Sequence, residues 1–406
     1  MIKTFKQALE TQNNFWNNKP VMRKNIKQQF FKTSMYNTEN IKNNELSKLP
    51  DGFNWNKISF DDSTNSELIC NFINKYYKRA NNSDYVIMYD IDRIKWETNN
   101  NGYFLTINDN ENNICGVICI SFINVMLNEN IHKMTNPLYM CCDDKYRNIG
   151  IAKVLINETI RHSNNNDINV GIFLTNTIVA QPISTIRYYT RPLNYKKLRE
   201  NDFVEIGGVK DDEVHNKLKI NLKPNKQYVK VDVNNKEMCN LVYDMYCKYM
   251  NTFNISMVLT KEELNNYLFN EKYVRTYIIT SNNIPVDFVS YNFYDIVNTQ
   301  KTSDNIIKAC NLLMYSSNVI ASEIMFINIM KNMSFDGFDI VFINDTMNNS
   351  DIILSSLKNS NEDTDDEEEN ANYNLNIMKT NKKSFMTLYN LKNPLLKQNM
   401  VSWFLF

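Results

Sequence analysis

The sequence predicts a mixed α/β fold, a sheet with flanking helices, in which one order of elements occurs twice. Three observations predict it. Alternating apolar runs are joined in pairs across short turn-rich segments, as in β-hairpins. Segments with apolar residues at i, i+3 and i+4 lie between them, as in amphipathic helices. The order helix, strand pair, helix, strand recurs beyond a polar stretch at 216–226, without any residue-level repeat. At 406 residues, 43% of them hydrophobic, the chain can bury a core sized for one large or two ordinary domains.

Residues 1–48 are polar and rich in Asn and Lys around one apolar island, Phe15-Trp16 with Pro20-Val21. They read as an arm pinned by an aromatic pair. Leu49-Pro50-Asp51-Gly52-Phe53 is a turn with an apolar exit. A helix is predicted over 65–77, where Leu68, Ile69, Phe72, Ile73, Tyr76 and Tyr77 share a face. Strands at 103–107 and 114–122 form a hairpin across 108–113. A short strand at 138–142 leads through a loop into a helix from 151 to about 162, and a strand at 168–174 follows. Beyond a boundary at 222/223 come a helix at 236–250 and strands at 273–280 and 286–293. A helix near 321–332 and a strand at 338–343 complete the second set. Residues 362–370 form an acidic run that reads as a solvated, disordered insertion. The apolar end, 401–406, reads as a docked terminal strand.

Composition removes several function classes. Lys plus Arg and Asp plus Glu number 45 each, so a globally basic profile is absent and no nucleic-acid partner is expected. No run approaches the ~18 apolar residues of a spanning helix, and the N-terminus lacks the apolar core of a signal peptide. Eight scattered cysteines without a CxxC pair suggest reduced thiols and a cytoplasmic location. His132, His162 and His215 have no metal-ligand spacing, so no metal is expected. Asn is about one residue in six while Gly numbers only 8, which fits an AT-rich genome. So few glycines also argue against Walker and dinucleotide loops, and neither pattern is present.

The informative site is Arg147-Asn148-Ile149-Gly150-Ile151-Ala152, directly after a strand and before a helix. A basic residue followed by Gly and Ala at this spacing aims backbone N–H groups and a helix N-terminus at one point, which suits a pyrophosphate. It resembles the acyl-CoA loop of GNAT acyltransferases. A longer resemblance contains it. Phe15-Trp16 with Pro20-Val21, and Leu49-Pro50 with Gly52-Phe53 and Trp55, resemble the F-W-x-T-Q-P-V and L-P-x-G-F-x-W strings of the N-myristoyltransferase family. The segment 138–142, Lys145, Arg147 and Ala152 resemble its strand and CoA loop. Thr185-Ile186-Arg187-Tyr188-Tyr189-Thr190-Arg191-Pro192-Leu193-Asn194 resembles its T-C-R-Y-W-H-R-x-L-N. Gly337-Phe338-Asp339 and Leu388-Tyr389-Asn390 with Pro394 follow in family order, so the resemblance runs the length of the chain.

The resemblance implies two tandem GNAT-like halves forming one saddle-shaped sheet with flanking helices. The arm 1–48 would cover the acyl-CoA site, 49–222 would bind acyl-CoA, and 223–406, with an acidic loop at 360–372, would bind peptide. It implies transfer of myristate from myristoyl-CoA, a co-substrate and not a resident cofactor, to the N-terminal glycine of proteins or peptides, by a monomer. The oxyanion donors would be the backbone N–H groups of Tyr139 and Met140, and the base the main-chain carboxylate of Phe406. Acyl-CoA would meet Asn14, Phe15, Trp16, Tyr139, Met140, Cys141, Cys142, Arg147, Asn148, Gly150, Ile151 and Ala152. The acceptor peptide would meet Thr175, Tyr188, Thr190, Ser290 and Tyr389. The family's second CoA-loop arginine is replaced by Gly150, which predicts weaker acyl-CoA affinity. Its peptide-facing His is replaced by Thr190, its acidic entrance by Tyr77-Lys78-Arg79, and its glycine-rich loop has no counterpart. Two other readings stay open: a non-catalytic acyl-CoA or lipopeptide binder, and an acyltransferase with another acceptor amine.

Overall fold

A computed structural model describes residues 14–23, 34–35, 46–77, 84–204, 214, 216, 218, 223–301, 306–358 and 376–403. The first half contributes β1 (Phe53–Ser59), α1 (Ser63–Tyr76), α2 (Ile91–Glu97), β2 (Gly102–Asp109), β3 (Ile114–Leu127) and β4 (Asn130–Cys142). It continues with α3 (Ile151–Asn165), β5 (Gly171–Thr175) and β6 (Ser184–Pro192). The second contributes β7 (Tyr228–Lys230), α4 (Lys236–Met250), α5 (Lys261–Leu268), β8 (Val274–Ser281), β9 (Ile284–Asn298) and β10 (Ile306–Tyr315). It ends with α6 (Ser322–Phe335), β11 (Ile340–Asn344) and β12 (Met378–Tyr389).

Both halves follow one plan. Three antiparallel strands, β2–β3–β4 or β8–β9–β10, lead through a helix to a parallel fourth, β5 or β11. The fifth place in each half is filled by the other half. β12 lies beside β5, β6 lies beside β11, and the two exchanged strands pair with each other at the centre. One continuous sheet results. The largest apolar core also crosses the divide, joining Val125, Met134 and Ile172 to Val242, Phe288 and Met314.

α1, β2, α3, β5, α4, β8, α6 and β11 sit where the apolar periodicity places them, while β1, α2, β6, β7, α5, β10 and β12 carry no expectation from the sequence; local chemistry sets their ends. α1 starts at Ser63 because the Asp62 side chain accepts from Asn65 N. α5 has a reciprocal capping box between Thr260 and Glu263. The Leu49–Phe53 turn closes with Phe53 N donating to Pro50 O and Gly52 at φ +88°. Three strands are longer than the sequence predicts, and the first, β3, runs on to Leu127 past the expected end at 122. β4 begins at Asn130, eight residues early, although 130–137 is polar and contains Pro137. That proline lies just past the last residue β4 shares with β5, where a missing N–H costs no ladder bond. β9 reaches Asn298 and meets β8 through Asn282-Asn283, both at positive φ, a tighter turn than the five-residue loop expected.

The arm is stitched onto the sheet. Val21 bridges Tyr389, Asn390 N donates to Pro20 O, and Val21 and Met22 are buried. The acidic run 362–370, Lys78, Arg79 and His215 lie outside the described residues.

Candidate functional site

The site begins with a defect in the sheet. β4 pairs with β3 as Val117↔Cys141 and then Cys119↔Leu138, so Tyr139 and Met140 face the single residue Ile118. This is a β-bulge, and it releases backbone groups of two adjacent residues from regular pairing. Tyr139 has φ +53°, which for a residue with a side chain costs about 1–2 kcal/mol. Its ring is buried between Tyr77 and Tyr89, edge to face, with centroids 5.6 and 5.2 Å away. Such pairs contribute about 0.5–1.5 kcal/mol each, enough to offset the strain.

On the other edge of β4 the sheet opens. β4 and the parallel β5 share only the pair Thr135↔Gly171, and beyond it they diverge. The corresponding strands of the second half, β10 and β11, stay paired over three residues. A cavity of about 480 Å³ fills the first-half wedge. Tyr139 and Met140 line one side; Gly171, Phe173, Leu174 and Thr175 line the other; Ile156, Thr159, Ile160 and Ser163 of α3 cover it. Trp16 from the arm stacks on Phe173, centroids 5.4 Å apart, and also lines it. Tyr188, Lys382, Ser384, Tyr389 and Trp403 complete the wall.

Two hydroxyls of the lining are satisfied internally. Thr135 Oγ1 donates to Ser163 Oγ at 2.7 Å, which donates to Thr159 O at 2.7 Å. Apolar surface nevertheless dominates the lining as a whole. Tyr188 OH donates to Ser384 Oγ at 3.1 Å, and the Lys382 ammonium lies 4.5 Å from the Tyr188 ring centroid. Lys382 is the one Lys, Arg, His, Asp or Glu among the described residues of the wall. Burial pushes the Tyr389 phenol up to about 12.

After β4 the chain turns through Asp144–Tyr146 and enters α3. Asp143 anchors this loop, accepting from Lys145 N at 2.9 Å and from Tyr76 OH at 2.6 Å. Asn148 and Gly150 both have positive φ, at +67° and +101°. Gly150 is the N-cap of α3 and offers no side-chain acceptor to the first turn, so the helix N-terminus is open to an anion. The helix lies close to the sheet because Gly116 has no side chain: a Cβ there would meet Ile151 Cγ2 at 2.7 Å.

Of the sequence-predicted residues, Trp16, Tyr139, Met140, Thr175, Tyr188 and Tyr389 all line the cavity. Phe15 packs edge to face on Trp16, and only the backbone of Asn14 is described, in the helical turn Asn14–Asn17. Arg147, Asn148, Gly150, Ile151 and Ala152 form the loop and first helical turn outside the cavity. There Arg147 pairs with Asp144 at 2.7 Å, and the Ile151 side chain is core. Cys141 and Cys142 leave the cavity wall for apolar clusters on opposite faces, and burial raises both thiols. Thr190 and Ser290 are not brought to the cavity; Ser290 Oγ is buried, donating to Met314 O at 3.0 Å. Phe406 lies outside the described residues. Sequence reasoning missed Phe173, Leu174, Lys382, Ser384 and Trp403. The alternation of Lys382 and Ser384 on one face of β12 was the available signal, and it points to the cavity only once β12 is known to sit beside β5.

Residues 33–186 match the family model described as "Myristoyl-CoA:protein N-myristoyltransferase, N-terminal domain". A glycylpeptide N-tetradecanoyltransferase of Plasmodium falciparum is 25% identical over 214 residues, 50% of this chain and 52% of the relative. The chain thus spans about half the length of that relative. Glycylpeptide N-tetradecanoyltransferase 2 of Danio rerio is 22% identical over 370 residues, 86% of this chain and 72% of its own. The crystal structure of Saccharomyces cerevisiae N-myristoyltransferase with bound myristoyl-CoA superimposes with a TM-score of 0.81. It covers 95% of this chain and 94% of its own at 16% identity, a likeness of fold. Among the described residues, no helix is long and apolar enough to cross a membrane.

Proposed function

We propose that the chain is a divergent member of the N-myristoyltransferase family and that it transfers myristate from myristoyl-CoA to the N-terminal glycine of proteins. The observation that carries this reading is the bulge at Tyr139 and Met140, placed in the wall of a largely apolar wedge. In the reaction the glycine amine, as the free base, attacks the thioester carbonyl. A C–N bond forms, the carbonyl oxygen gains negative charge, and collapse breaks the C–S bond, with one proton from the nitrogen passing to the departing sulfur to give CoA thiol. The Tyr139 and Met140 N–H groups stabilise the oxyanion, which is commonly the largest catalytic contribution. The apolar lining of the wedge takes the acyl chain, Trp16 covers it, and the open N-terminus of α3 takes CoA phosphate.

The glycine ammonium, with a reference pKa of about 7.7–8.0, has to lose a proton first. No carboxylate or histidine stands in the described wall, and family resemblance gives this role to the Phe406 carboxylate. Lys382 favours the neutral amine, because a cation beside an ammonium lowers its pKa. The same reading places the protein in the cytoplasm as a monomer, and all eight cysteines being free supports a reducing compartment.

The test is release of CoA thiol from myristoyl-CoA in the presence of N-terminal glycyl peptides. The expected result is release that depends on a free glycine amine and stops when that amine is acetylated. Acyl-CoA binding with no release across a broad peptide panel would favour a non-catalytic binder.

A further inference from the structure

We infer that Tyr89, backed by Arg93, is a positioning residue for acyl transfer: it holds Tyr139 in the left-handed conformation that presents the bulge donors. The inference rests on the reading that these N–H groups bind the oxyanion. Tyr89 is buried and does not itself line the cavity; it reaches the wall through the rings of Tyr139, 5.2 Å away at 70°, and Tyr77, 6.3 Å away. The Arg93 guanidinium lies 5.6 Å from the Tyr89 ring centroid and 5.0 Å from that of Tyr294. Arg93 is itself fixed by Glu97, Nε to Oε1 at 2.9 Å, and both side chains are buried. A continuous stack therefore runs from β9 of the second half through α2 to the bulge of the first.

This stack has a physical task. A left-handed Tyr139 has an ordinary strand conformation as its competitor, and relaxing to it would re-pair β4 with β3 and withdraw the donors. Packing around the ring is what tips that balance, since a β-bulge has no side-chain cap to hold it. α2 also ties to the second half through Trp96 Nε1, which donates to Tyr267 O at 3.1 Å, and through Tyr273 OH, which donates to Asp90 at 3.0 Å. The donors of one half are thus braced by residues of the other.

The experiment compares Tyr89→Leu and Tyr89→Phe with the wild type in steady-state acyl transfer to a glycyl peptide, with acyl-CoA affinity measured separately. Tyr89→Leu is expected to lower kcat about tenfold while acyl-CoA affinity changes less than twofold, because the donors act on the transition state. Tyr89→Phe keeps the ring and is expected to restore kcat to within about twofold. Protection of the Met140 amide against hydrogen exchange should change in the leucine variant and not in the phenylalanine variant. If Tyr89→Leu does not fold, Tyr294→Leu, a half-buried position two contacts away, should lower kcat about threefold with the same affinity pattern. A folded Tyr89→Leu with wild-type kcat, or a loss confined to KM, overturns the inference alone. A wild type without transfer to any glycyl peptide overturns the proposed function and the inference together.

Discussion

At Gly150 the backbone has φ +101°, and a Cβ built there would meet nothing within 4 Å. The glycine serves conformation and not space. Gly150→Ala is therefore expected to cost about 1–2 kcal/mol of stability through the left-handed penalty, read as a shift in the denaturant midpoint. Gly150→Glu adds like charge where the proposed function seats CoA phosphate, so its acyl-CoA affinity should fall about tenfold further than that of Gly150→Gln, measured by calorimetry at low salt. Equal affinities for the two would remove the loop from phosphate binding. The same conformational demand explains part of the composition. Asn fills positive-φ positions such as 99, 112, 128, 148, 282, 283 and 390 in a chain with few glycines. Backbone geometry shows one use made of these asparagines. The strain at Tyr139 was not legible. A tyrosine in an apolar strand gives no local sign that its φ is positive; only the register against β3 does.

α3 was legible from its periodicity, yet its buried charge was not. Glu158 faces inward, where Arg161 Nε donates at 2.8 Å, Ser47 N donates at 3.1 Å, and His162 Nε2 lies 3.3 Å away. Burial pushes this carboxyl up, but the hydrogen bonds from Arg161 and Ser47 outweigh it and hold the net value below the ordinary range. A depressed folded pKa contributes stability that is complete above the unfolded value, near 4.3, and is lost as pH falls through the folded value. Glu158→Gln should thus destabilise by about 2 kcal/mol above pH 5, with the gap to wild type closing in more acid solution. Thermal unfolding of both proteins from pH 3 to 7 checks this, and a gap independent of pH would assign the effect to packing. Strand ends were the least legible feature. β4 and β9 extend through polar residues because their neighbours supply hydrogen bonds, and periodicity within one segment does not report on neighbours.

The repeated element order in the sequence reported two similar halves, and the exchange of β6 and β12 between them is a long-range pairing that no local pattern encodes. That exchange makes the halves interdependent. A fragment ending at 222 would leave β6 without both of its neighbours, β11 and β12, and β5 with an open edge. It is expected to lack a cooperative thermal transition when expressed alone; a sharp two-state transition would show that the first half folds by itself. Among the described residues, splayed strands, released bulge and open helix N-terminus occur together only in the first half, since β10 and β11 stay paired. The site therefore belongs to one half, while the exchanged β12 and Trp403 close its wall from the other. The central claim is that this wedge transfers an acyl group to an N-terminal glycine, and the most direct measurement maps the product. A peptide with a free N-terminal glycine and one internal lysine, incubated with the protein and myristoyl-CoA, is fragmented by mass spectrometry. The account predicts a tetradecanoyl amide on the glycine nitrogen and an unmodified lysine, whereas acylation of the lysine alone, or no product despite bound acyl-CoA, would contradict it.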